Sequence, residues 1–214
     1  MEPRLEQAQA GTRAVFFLDA APFVWAPFLG VLWCFERLFV KAPSGRQRLN
    51  VLSALNATTH ELFTVKNLTY ITAATVCELL QRLAGSHLGI PITVVLDNAR
   101  YQHCALVQSV ALGLGIELLY LPAYSPNLNL IERFWKFVKK QCLYSKYYPD
   151  SDSFQKAILD CMKQAPTKHK AELETLLALR FQTFKSVPVI GERPEVYPFP
   201  VPKQSKKKVS SKAA

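Results

Sequence analysis

The strongest constraint on this chain is a pair of apolar runs separated by one helical stretch. Ile92-Thr93-Val94-Val95-Leu96 is β-branched throughout most of its length, and Ile116 to Leu121 is a second strand-like run. Between them, Cys104 to Leu112 has helical character and is stopped by Gly113 and Gly115. Strands apolar on both faces belong in a sheet covered on both sides, and parallel strands need a crossover of this length. Upstream, Val15 to Leu18 reads as a buried strand running into Asp19. Leu49–Leu55 and Glu61–Val65 read as an antiparallel pair turned at Asn56 to His60. Leu32 to Val40 is another apolar stretch of strand character, and Ala42 to Arg48 a turn with basic flanks.

Helical periodicity accounts for most of the rest. In Thr72–Ala84 the residues Val76, Leu79, Leu80 and Leu83 share a face. Leu130–Leu143 is a long amphipathic helix, with Ser153–Gln164 and His169–Leu179 after it. The expected fold class is therefore α/β, a mixed sheet flanked by helices. The expected organisation is an N-terminal extension over 1–12, one domain over 13–187 and a Pro/Lys-rich flexible tail over 188–214.

Half of the 214 residues are apolar, which is enough for a core and excludes disorder of the whole chain. The formal net charge of +10 includes five lysines, with no acids, between Val201 and Ala214. A basic body suits a polyanion such as nucleic acid, or an anionic membrane face. The five cysteines are odd in number and include no CxxC pair, so neither a disulfide framework nor a thiolate zinc site is indicated. A reducing, intracellular compartment follows. The longest uncharged run, Ala20–Phe35, has 16 residues broken by Pro22, Pro27 and Gly30. A span needs about 20, so a buried hairpin is the expectation and no membrane partner is indicated. Met1–Gly11 carries charges and is not a signal peptide.

Two acids stand where strands end. Asp19 follows one apolar run and Asp97 another, and open α/β sheets bind ligands at such ends. Carboxylates are the oxygen donors that hard cations such as Mg²⁺ take. Turn chemistry is the plainer account of Asp97-Asn98 alone, since both side chains bond local backbone. Glu132 lies at the edge of the stripe Ile131, Phe134, Trp135 and Val138, with Arg133, Lys136 and Lys139 around it. A capping box with Asn129, or an i,i+4 pair with Lys136, would explain Glu132 locally.

The segment Pro122-Ala123-Tyr124-Ser125-Pro126-Asn127-Leu128-Asn129-Leu130-Ile131-Glu132, taken with Val94-Val95-Leu96-Asp97-Asn98-Ala99-Arg100, resembles the DDE transposases of the mariner-type superfamily, in particular their bacterial insertion-sequence branch. Asp97 and Glu132 are separated by 34 residues, as that family requires. Phe17-Leu18-Asp19 resembles its first-acid strand, and Gly45 to Leu52 its second strand. The likeness covers roughly 13–184. It implies a ribonuclease-H-like fold in which Asp19, Asp97 and Glu132 are catalytic and hold two Mg²⁺ or Mn²⁺ ions. It implies an enzyme that cuts DNA at transposon ends and joins the freed 3′-hydroxyl to target DNA, commonly at TA. It implies a homodimer and a nucleoid-associated, cytoplasmic place of action in a bacterium.

Two departures accompany the likeness. Relatives carry an end-binding helix-turn-helix region, and the 18 residues before Asp19 are too few for one. A separate helix-turn-helix partner, as from a split gene, or a truncated copy would account for this. Relatives also often place His where this chain has Pro22 or Gln102. His103 reads as a surface residue opening a helix. Arg46, Arg48, Arg100, Arg133, Lys136, Lys139 and Lys140 are candidate phosphate contacts, and the lysine tail a source of nonspecific DNA affinity. A non-catalytic or truncated DNA-binding remnant, and a nuclease without strand transfer, are the alternatives.

Overall fold

The computed structural model describes residues 1–25, 35–36, 47–86, 88–122 and 125–181. They belong to the unit Met1–Gln182. The expected strand at Leu32–Val40, most of the turn before Arg48, and the tail from Pro188 onward lie outside the described residues, but for Phe35 and Glu36.

Five strands, β1 (Ala14–Trp25), β2 (Gln47–Asn56), β3 (Leu62–Asn67), β4 (Ile92–Leu96) and β5 (Ile116–Tyr120), form one sheet in the order β3-β2-β1-β4-β5. β1, β2 and β3 pair antiparallel, and β1, β4 and β5 pair parallel. The mixed sheet expected from the two apolar runs is thus present. Each run is a parallel strand, and the helix between them is the crossover.

β1 departs from expectation. It runs for twelve residues, so Asp19 lies within it rather than at its end. The cause is the partner. β2 accompanies β1 from Phe16↔Asn56 to Trp25↔Gln47, so backbone bonds continue past the acid. β4 does not: its last pair with β1 is Leu18↔Leu96. Pro22 falls beyond that point, where a strand tolerates a residue without an N–H. Of the hairpin expected in Ala20–Phe35, residues 20–25 belong to β1, 26–34 lie outside the described residues, and Phe35 is exposed.

Six α-helices and a short 3-10 helix at Pro126–Leu128 complete the described fold: α1 (Glu2–Gln9), α2 (Ala73–Ala84), α3 (Ala105–Gly113), α4 (Leu130–Cys142), α5 (Ser151–Lys168) and α6 (Lys170–Leu176). Side chains alternate across a strand, and here each set has its own cover. Val15, Phe17, Ala21, Phe23 and Val95 pack with α1, α4, α5 and α6. Phe16, Leu18, Val94 and Leu96 pack with α2 and α3. The stripe Ile131, Phe134, Trp135 and Val138 is buried throughout, as its spacing predicts. Each such large apolar side chain stabilises the fold by roughly 1.5–3 kcal/mol.

α1 was not legible as a helix. Its Leu5 and Ala8 join the first of these cores. Arg4 and Arg13 reach Glu117 at 2.7 and 3.1 Å, and Thr93 donates its hydroxyl to the same carboxylate at 2.7 Å. That cluster accounts for the one acid inside the β5 run. The hydrogen bond from Arg4, ahead of the opposing cost of burial, holds the Glu117 carboxyl below its usual range.

Candidate acidic site at the end of the parallel strands

The period-2 alternation fixes which way the first two acids face. Asp19 follows Val15 and Phe17 on β1, and Asp97 follows Val95 just past β4, so both fall on the side covered by α4. Leu18 and Leu96 are the last register partners of β1 and β4, so Asp19 and Asp97 each follow directly on from that pair on neighbouring segments. Glu132 comes from the first turn of α4. All three carboxylates are half-buried.

α4 is docked on β1 by two hydrogen bonds that bracket the first acid. Asn129 donates from Nδ2 to the carbonyl of Leu18 at 3.3 Å, and Trp135 donates its indole N–H to Oδ2 of Asp19 at 3.1 Å. The capping-box account of Glu132 fails here. Asn129 is the N-cap residue, but its side chain makes no cap bond, because it is turned to the sheet. Its Oδ1 is buried without a partner. Glu132 is likewise absent from the five ion pairs formed among the described residues, so the pairing with Lys136 does not explain it. For Asp97 the turn chemistry is present: Oδ1 accepts the Ala99 N–H at 3.1 Å.

Burial is the largest influence on Asp19, followed by the negative charge of Glu132. A backbone hydrogen bond from Ala20 opposes them, Asp97 adds further repulsion, and the Trp135 hydrogen bond lowers the value slightly. Together they push the Asp19 carboxyl up to about 7. Three acids crowding one end of a sheet is a cost that a bound cation would offset. Tyr101 joins them electrostatically. Burial raises its phenol, a hydrogen bond from Gln102 opposes this, and both Asp97 and Asp19 raise it further.

The donors are all carboxylate oxygens, the chemistry that Mg²⁺ and Mn²⁺ take. Among the described residues, however, no group of three or more His, Cys, Asp or Glu is arranged so that it could hold a metal ion. The three acids fit a hard cation in kind, and their side chains stand short of a closed cage.

The basic residues divide. Arg48, Arg100, Lys136 and Lys140 are exposed and Lys139 is half-buried, whereas Arg46 lies outside the described residues. Arg133 is not available to a phosphate as expected. Its guanidinium donates to the carbonyls of Ala178 at 2.8 Å and Arg180 at 2.6 Å and lies over the Phe181 ring. His103 is exposed and packs edge-on against Tyr120, as a surface residue before α3 would. A groove of about 700 Å³, lined by Gln47, Arg48, Leu68, Thr69, Tyr70 and Gln155, opens at the end of the sheet to which β1 runs beyond Asp19. Tyr70, Tyr101 and the Trp135 N–H carried no motif of their own, and Asn129, inside the quoted segment, was read only as an N-cap. The one signal for Trp135 was its place three residues after Glu132, on the same flank of the helix.

Sheet order and helices on both faces define a ribonuclease-H-like domain. The family model described as DDE superfamily endonuclease matches residues 36–155, and the chain belongs to that family. No protein of curated function matches the sequence.

Solved structures of similar fold include the mariner Mos1 paired-end complex with Mg, with a TM-score of 0.57 at 14% identity, covering 83% of this chain and 56% of that one. The Mos1 paired-end complex with Mn gives 0.51 at 12%, covering 86% and 61%. The Mos1 strand transfer complex gives 0.50 at 14%, covering 86% and 62%. The chain thus spans less than two thirds of the length of the solved chains it matches. Among the described residues no helix is long and apolar enough to cross a membrane.

Proposed function

We propose that this chain is the catalytic core of a DNA transposase, in which Asp19, Asp97 and Glu132 hold two divalent cations, Mg²⁺ or Mn²⁺. What supports the reading is that Asp19 and Asp97 both follow the last β1–β4 register pair, Leu18↔Leu96, and that the negative charge of Glu132 on α4 raises the Asp19 carboxyl. Bound ions would supply Lewis-acid stabilisation of an in-line displacement at phosphorus. The chain's own part is to hold three carboxylates on rigid elements and to seat the phosphodiester. Arg100, Lys136 and Lys140, all exposed, are the bases near the acids that would neutralise backbone phosphates. Arg48 and Tyr70 extend that path along the groove beyond β1.

The reaction is hydrolysis of one strand at a transposon end, then attack of the freed 3′-hydroxyl on a target phosphodiester. Two ends to be joined call for two copies of the chain, and a helix-turn-helix region supplied by a partner chain would recognise them. A bacterial insertion sequence is the proposed source, with action at the nucleoid. The second reading, a non-catalytic DNA-binding remnant, is favoured by one observation: the acids do not stand in a metal-holding arrangement.

The deciding experiment incubates the protein with supercoiled plasmid carrying the element's ends, in Mg²⁺ or Mn²⁺, beside Glu132→Gln and an EDTA control. Metal-dependent cutting lost in the variant, with joined products, supports the transposase. Cutting without joining indicates a simple nuclease. DNA binding with no cutting in any metal favours the remnant.

A further inference from the structure

One side chain of α4 reaches the first acid from a buried, ring-packed position. Trp135 is only 2% exposed. Its ring packs edge-on against Phe23 at 6.0 Å and tilted against Phe134 at 5.7 Å. The indole N–H therefore points where packing aims it, and it meets Oδ2 of Asp19 at 3.1 Å. Three residues earlier, the same helix offers Glu132.

A packing role alone accounts poorly for this pair. A buried indole N–H needs an acceptor, and any backbone carbonyl would serve, as Tyr148 serves Trp25 at 3.2 Å. A carboxylate is a costly choice of acceptor, because desolvating it loses more than one neutral donor returns. The choice makes sense where the acceptor itself must be aimed. On the flank away from β2, β1 runs past the end of β4, so strand pairing holds the backbone of Asp19 on the β2 flank only, and its carboxylate is met by side chains of α4.

We propose that Trp135 is a positioning residue of the acidic site: its indole N–H fixes the rotation of the Asp19 carboxylate, and so the direction in which that acid meets a divalent cation shared with Asp97 and Glu132. This rests on the reading of the three acids as cation ligands. Trp135→Phe keeps an aromatic ring in the core and removes only the donor and the second ring. The carboxylate then turns, and cation binding weakens while the fold persists.

The test uses the full chain, without DNA. Binding of Mn²⁺ is followed by electron paramagnetic resonance for wild type and Trp135→Phe. The indole ¹H–¹⁵N resonance of Trp135, assigned by its absence from that variant, is followed during a Mg²⁺ titration of wild type. The expected results are a saturable shift of that resonance and an Mn²⁺ affinity roughly 10-fold to 100-fold weaker in the variant. Equal Mn²⁺ affinity in the two proteins would overturn the positioning role and leave the metal site standing. Absence of saturable Mn²⁺ binding by wild type would instead remove the metal-site reading beneath it. Should Trp135→Phe not fold, the wild-type titration decides alone: a Trp135 resonance unmoved at saturating Mg²⁺ sinks the proposal.

Discussion

Asn129 and Leu18, 111 residues apart in sequence, are joined by a hydrogen bond from the Asn129 amide to the Leu18 carbonyl at 3.3 Å. The bond ties the start of α4 to the strand position just before Asp19. Glu132 stands three residues further along the same helix turn. Asn129→Ala removes the donor and leaves a carbonyl at a buried site, which costs roughly 1–3 kcal/mol. Urea denaturation should show that loss, and metal-dependent cutting should fall further than stability alone explains. A variant with wild-type stability and cutting would show that the helix is docked by packing only.

Asp97 serves a turn and faces the other acids, and one substitution separates the two roles. Asp97→Asn keeps an oxygen to accept the Ala99 N–H, so the turn survives, while the charge that a cation needs is gone. Melting temperature should change by a few degrees at most, and DNA cleavage should disappear. Cleavage equal to wild type would remove Asp97 from the proposed chemistry.

Asp19 makes stability depend on pH in an unusual direction for an acid. Its folded value is about 7, against 3.8 for the unexceptional carboxyl. Between these values the folded chain retains a proton that the unfolded chain has released. Stability therefore falls as pH rises from about 4 to about 7, then levels off. For a half-buried group the loss is roughly 2–4 kcal/mol at most, after allowing for solvent. In EDTA, urea curves at pH 5 and pH 8 should differ for wild type and much less for Asp19→Asn. Parallel behaviour of the two proteins would show that Asp19 does not carry the effect. Added Mg²⁺ should recover the wild-type loss and leave the variant unchanged.

Much of the scaffold was legible because its signals are local. Ile92–Leu96 is a strand from end to end, and the α4 stripe is buried as its 3.6-residue period requires. The extent of β1 was not legible, since β2 rather than its own composition carries it past Asp19. α1 was missed for a similar reason: its polar surface hides a short buried face of Leu5 and Ala8 that only the sheet reveals. Within the candidate site, Asp97 does stand just past a strand end, whereas Asp19 lies inside β1. The contacts of Asn129 with Leu18 and of Trp135 with Asp19 could not be read from the sequence, because they join residues more than a hundred positions apart.

Arg133 supplies the sharpest contrast between expectation and place. It is among the candidate bases for DNA, yet it holds the segment after α6 through the Ala178 and Arg180 carbonyls and covers Phe181, whose ring stacks on Phe17. Arg133→Ala should therefore act on order, not on charge. Hydrogen exchange should speed up at Leu177–Phe181, and stability should fall by roughly 1–3 kcal/mol. The salt dependence of DNA binding should keep its slope. Lys136→Ala should do the reverse, leaving stability alone and lowering the slope by about one counterion. A lower slope in Arg133→Ala with unchanged exchange would return Arg133 to the DNA-contacting set.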